Sequence, residues 1–166
     1  MNGPLVIGFA HLSDRAMERL TPSTVGWLSV EHPFAFDHEP ALAEDGRRFE
    51  SGTENAAGIA GLAATISIVL ELGRDTVERI VLERAAELEA AIIARGLHSP
   101  RSRHPAEHSG IVFATTGDRD TDAKSHQRLL DHGVRCSLRA PGVRFSPHYF
   151  NTPDDLRRAV DLLPTS

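Results

Sequence analysis

The chain has 166 residues, 40% of them hydrophobic, and a formal charge of -5 at pH 7. That length suits one domain with a second small piece, burying roughly two thirds of its unfolded surface. The negative charge argues against nucleic acid and acidic membranes as partners, since basic spots such as Arg101 and Arg103 are small and sit in a Pro/His/Ser-rich stretch.

The N-terminus, Met1-Asn2-Gly3-Pro4, lacks the basic region of a signal peptide. Residues 4–12 are apolar, with Val6, Ile7 and Phe9, and predict a buried strand. Ser13 and Asp14 can cap a short helix through Leu20, stopped by Thr21-Pro22. Residues 23–46 show little periodicity and read as a long irregular connection, the kind of segment that is functional or lies on another surface. From Asn55, Ile59, Leu62, Ala63, Ile66, Val69 and Leu70 repeat at helical spacing, and small residues fill the first half. Gly73 ends this helix. Asp75 is expected to cap a second one that runs to Gly96, which makes the pair a helical hairpin. The longest apolar run, 63–70, is interrupted by Thr65 and Ser67 and is too short to span a bilayer.

Residues 98–108 form a polar loop, in which Pro100 and Pro105 argue against a helix that would align His104 with His108. No metal site is expected. A strand over 111–114, a helix over 122–132 and a strand over 134–138 follow. Cys136 lies in that last strand; as the only cysteine it allows no internal disulfide, reads as a small buried filler and fits a reducing cytoplasm. Pro141-Gly142 turns the chain into a strand over 143–146. Thr152-Pro153-Asp154-Asp155 then starts the final helix with a hydroxyl cap, a proline and an acid. This order predicts an α+β layer, a short, mostly antiparallel sheet with helices on one face.

Two segments carry chemistry. In Glu50-Ser51-Gly52-Thr53-Glu54-Asn55 a hydroxyl beside a glycine precedes a helix. Such a turn can cradle phosphate, because the glycine admits the backbone and the helix start supplies N–H groups. The same residues would serve equally as a plain helix cap. In Val143-Arg144-Phe145-Ser146-Pro147-His148-Tyr149-Phe150-Asn151-Thr152, an arginine lies on an apolar strand. It could pair with a surface acid, or hold a carboxylate with two parallel hydrogen bonds.

Together these segments resemble the C-terminal part of class V aminotransferase-like enzymes, which use pyridoxal phosphate (PLP). The run Arg48-Phe49-Glu50-Ser51-Gly52-Thr53 before a Gly/Ala-rich helix is similar to the family's phosphate turn, and Glu54 stands where relatives usually have proline. The resemblance implies that Gly52 and Thr53 contact the PLP phosphate of a partner subunit and that Arg144 binds the substrate's α-carboxylate. It implies the small domain of the fold type I transferase fold plus the end of the large domain. Residues 1–46 would close the large domain and form an interface loop, 47–74 the phosphate-side turn and bridging helix, and 75–166 the small domain.

Gly3-Pro4-Leu5-Val6-Ile7-Gly8-Phe9 resembles the strand shortly after the family's Schiff-base lysine, which places that lysine upstream of Met1. The sole lysine here, Lys124, falls in a small-domain helix. No catalytic residue is therefore assigned, and the chain alone is expected neither to hold PLP nor to turn over. The implied partners are a second copy or a separately encoded large domain, with an amino acid as substrate. A non-catalytic binding or assembly module is the alternative. Transaminase, lyase and desulfurase branches all remain open.

Overall fold

Ser13 does what its position requires. Its hydroxyl accepts from Ala16 N–H and opens α1, Asp14–Arg19. The computed structural model describes residues 3–102 and 104–165; Met1, Asn2 and the basic position Arg103 lie outside them. The chain divides into two compact units, Met1–Glu71 and Leu72–Ser166.

In the first unit, residues 4–12 do not form the predicted strand. Leu5, Val6 and Phe9 are exposed, Val6 at 94%, and Val6 takes a left-handed φ of 59° that breaks an extended run. The segment is apolar enough for a strand but finds no strand to pair with. Residues 23–46 are irregular, as expected, apart from an isolated antiparallel bridge between Val30 and Leu42. Helix α2, Ala56–Leu72, is apolar around most of its circumference, yet only Gly58 and Leu62 are buried.

The second unit starts with α3, Arg74–Ala94. Gly73, with no side chain to bond, occupies its cap; Asp75 sits inside the first turn, where a carboxylate favours the helix dipole without capping. Next come β1, Val112–Ala114; α4, Arg119–Asp131; β2, Ser137–Arg139; β3, Gly142–Phe145; and α5, Pro153–Asp161. Helix α4 starts before the expected Asp122. Asp118 is its cap, accepting from Thr121 N–H at 2.9 Å. Asp122 is instead buried, where it accepts from the Thr115 hydroxyl at 2.5 Å and from Thr116 N–H at 2.9 Å and ties α4 to the end of β1. At α5 the expected cap is complete: Thr152 Oγ1 accepts from Asp155 N–H and Asp155 accepts from Thr152 N–H.

The three strands form an antiparallel sheet in the order β1-β3-β2. Strand β2 is later and shorter than the apolar alternation implied. Only Ser137, Leu138 and Arg139 find ladder partners, opposite Arg144, Val143 and Gly142. Val134 and Cys136 pack on the core without joining the ladder. Helices α3 and α4 pack on the sheet and α5 packs on α3. Val112, Ala114, Val143 and Phe145 project into one core with Leu88 and Ile92 of α3, Leu129 of α4 and Leu156 and Val160 of α5. Side chains alternate across a strand. Phe113 and Arg144, paired in register, therefore share the opposite face with Ser137. This is the α+β layer expected, with helices on one side.

Candidate functional site

The phosphate-side turn is built from its backing loop. Ser29 is completely buried, accepts from Gly26 N–H at 3.1 Å and donates to the Glu50 carbonyl at 2.8 Å. The two backbones meet so closely that a Cβ on Gly26 would lie 1.7 Å from the Ser51 oxygen. Glycine at 26 is thus required by contact. A Cβ on Gly52 would meet Trp27 Nε1 at 3.8 Å, an ordinary contact, and Trp27 leans on Phe34 with ring centroids 5.7 Å apart.

Asn55, not Thr53, caps α2. Its Oδ1 accepts from Gly58 N–H at 2.9 Å, and its carbonyl accepts from Ile59 N–H at 2.8 Å. Gly58 makes room for that side chain, because a Cβ there would sit 2.5 Å from Asn55 Nδ2. The plain capping role belongs to Asn55. Thr53 is exposed, and its hydroxyl has no hydrogen bond among the described residues. It stands at the start of a long helix, where the first N–H groups and the helix dipole favour an anion. Glu54 is exposed too, so its charge is open to solvent.

Arg144 occupies the central strand. Its Nε is buried and lacks a hydrogen-bond partner, and among the described residues no acid pairs with the guanidinium. The surface ion pair that the sequence allowed is not formed. Leaving such a donor unsatisfied costs about 1–3 kcal/mol. Water, a ligand or another chain can supply the missing acceptor, and Arg144 differs from Arg101, whose Nε is also unpartnered, in that no described acid pairs with its guanidinium.

The turn after β3 adds a residue that sequence reading missed. His148 stacks on Phe150, 5.3 Å between centroids, and meets Tyr149 edge-on at 4.8 Å. Its N–H donates to Asn151 Oδ1 at 2.9 Å, while Nδ1 is buried without a partner. The signal was its place in an aromatic run four residues after Arg144. Burial holds the imidazole below its ordinary pKa, so it is neutral at pH 7. The unfolded chain then takes up more protons on acidification. This part of the stability is fully present above the ordinary histidine pKa of about 6.5 and is lost as pH falls from there through the lower folded value. His148→Phe keeps the stacking, and melting curves at about pH 7.5 and about pH 5.5 are expected to differ less in that variant than in the parent.

Lys124 is exposed on α4. Cys136 is half-buried against the core, and burial pushes its thiol upward, which keeps it protonated as a filler.

The model of the class V aminotransferase family matches residues 1–158. The chain belongs to the class V aminotransferase family. An uncharacterized aminotransferase of Bacillus subtilis is 26% identical over 156 residues, covering 93% of this chain and 40% of that protein. A probable cysteine desulfurase of Pyrococcus abyssi is 27% identical, covering 97% of this chain and 43% of that protein. This family member thus spans about two fifths of the length of the curated relatives it matches. Among solved structures, the apo cysteine desulfurase of Thermococcus onnurineus superposes with a TM-score of 0.76 at 20% identity, covering 92% of this chain and 40% of that one. The Escherichia coli cysteine desulfurase gives 0.76 at 22%, covering 96% and 42%. At these identities the likeness establishes the fold.

Proposed function

We propose that this chain supplies the phosphate-side and carboxylate-side contacts of a PLP-dependent enzyme acting on an amino acid. Gly52 and Thr53 hold the cofactor phosphate, and Arg144 holds the substrate's α-carboxylate. The observation that carries this reading is the buried, unpartnered Nε of Arg144 on the sheet face opposite the Val143 and Phe145 core. A free threonine hydroxyl before a helix start is the right donor set for a phosphate, and an unpaired guanidinium is the right one for a carboxylate. PLP, when bound, supplies an electron sink; the residues here bind and orient.

Lys124 lies outside both contact sets in this reading, so the covalent anchor for the cofactor comes from elsewhere and these residues alone do not turn over. Residues 1–46 complete a large domain, 47–74 bridge, and 75–166 form the small domain. Relatives named as aminotransferase and as cysteine desulfurase leave the transaminase, lyase and desulfurase branches within this proposal.

A second reading, a binding or assembly module without catalysis, draws on α2. Ile59, Ile68, Leu70 and Leu72 are exposed on a helix that is apolar nearly all round, and such helices are normally covered. A large domain or a second copy would cover them.

The test is reconstitution. The chain is incubated with PLP, alone and mixed with a polypeptide supplying the rest of the family length; turnover is assayed first, and borohydride is added afterwards to mark any lysine that formed an aldimine. Turnover only in the mixture, with Lys124 unlabelled, is expected. Complex formation without turnover would favour the assembly module, and turnover or Lys124 labelling in the chain alone would overturn the proposal. Within the mixture, Thr53→Ala is expected to weaken PLP binding about tenfold, the value of one charge-assisted hydrogen bond, with Thr53→Ser retaining it.

A further inference from the structure

A separate cleft of about 440 Å³ opens in the second unit, between the turn after β3, the first half of α5 and the segment after α4. Its size falls within the roughly 300–1,000 Å³ of small-molecule pockets. Phe145, Leu156 and Ala159, all buried, form the floor, and Phe150 stands exposed at the lip. Phe145 follows Arg144 on β3, and consecutive strand residues project to opposite faces. The cleft is therefore on the other side of the sheet from the guanidinium discussed above.

Three charged residues line it: Asp155, Arg158 and Arg135. Asp155 is held below the usual carboxylate range by the Thr152 N–H and hydroxyl, with Arg158 contributing, so it is ionised. Its charge and that of Arg158 offset each other. Arg158 also spends a donor on the His132 carbonyl at 2.5 Å. Arg135 is exposed and, among the described residues, makes no hydrogen bond or ion pair. One uncompensated positive charge thus stands beside an apolar floor.

We propose that this cleft is a ligand site for a small monocarboxylate with an aliphatic or aromatic body. The carboxylate meets Arg135, and the body rests on Phe145, Leu156 and Ala159. An uncharged analogue loses the charge-assisted hydrogen bonds, and a larger dianion meets Asp155.

The test titrates phenylpropionate into the 166-residue chain while following the methyl NMR signals of Val134, Leu156 and Ala159. Saturable shifts confined to these groups are expected. The corresponding amide should bind at least about tenfold more weakly, and Arg135→Ala should lower affinity at least about fivefold. Arg135 is exposed, so its replacement preserves the fold, and the spectrum of the variant confirms this. Arg144→Ala should leave the shifts unchanged. Shifts that never saturate, equal binding of acid and amide, or indifference to Arg135→Ala would overturn the site. Loss of binding in Arg144→Ala with retention in Arg135→Ala would assign the carboxylate to the other face instead.

Discussion

Arg144→Met is expected to abolish carboxylate binding while leaving the second unit as stable as before. A guanidinium that holds a carboxylate through two charge-assisted hydrogen bonds contributes about 2–3 kcal/mol, so affinity should fall roughly 100-fold. Stability should move the other way or not at all. The buried Nε has no partner to lose, and removing an unsatisfied donor recovers part of its desolvation cost, which is about 1–3 kcal/mol. Methionine retains most of the apolar stem. Two measurements check this. The Arg144 Nε–Hε NMR resonance should shift on adding an amino acid in the parent protein, and the melting temperature of the variant should fall by no more than about 3 °C. A variant that melts far earlier would make Arg144 a structural residue and remove the main support for the proposed function.

Gly26→Ala should disable the phosphate side without touching Thr53. The new methyl would lie 1.7 Å from the Ser51 oxygen, an overlap the backbone can relieve only by moving the turn that carries Gly52 and Thr53. The Ser29 hydroxyl ties the same two segments together, accepting from Gly26 N–H within the loop and donating across to the Glu50 carbonyl. The expected loss is about 2–3 kcal/mol within the first unit, typical of steric overpacking combined with broken buried hydrogen bonds. Amide exchange should quicken around residues 26–29 and 50–52 and remain unchanged in α3 and β3, and PLP binding in the reconstituted enzyme should weaken more than tenfold. If exchange stayed slow in the 50–52 turn, the backing loop would not be what positions Thr53.

Much of this arrangement was legible in local pattern. The Ser13 and Thr152 caps follow from hydroxyl chemistry acting within four residues, and both form as written. The helical repeat of α2 and the α+β layer were equally plain. Failures came where a long-range partner decides. Residues 4–12 have a strand's composition without a neighbouring strand. Strand β2 is set by the register it finds on β3, not by its own alternation. Asp122 looked like a helix start because nothing local shows that Thr115 and Thr116 will claim its carboxylate.

The candidate residues divide the same way. Sequence alone determined which side chains have the right chemistry, since a hydroxyl beside glycine before a helix and an arginine on an apolar strand are readable from residue type and spacing. It could not say whether those groups were already spent. The local backbone decided that Asn55 takes the cap and leaves the Thr53 hydroxyl free, and tertiary structure decided that no described acid reaches Arg144. Hydrogen-bond satisfaction depends on which groups from distant parts of the chain come within about 3 Å, and only the folded backbone sets those distances.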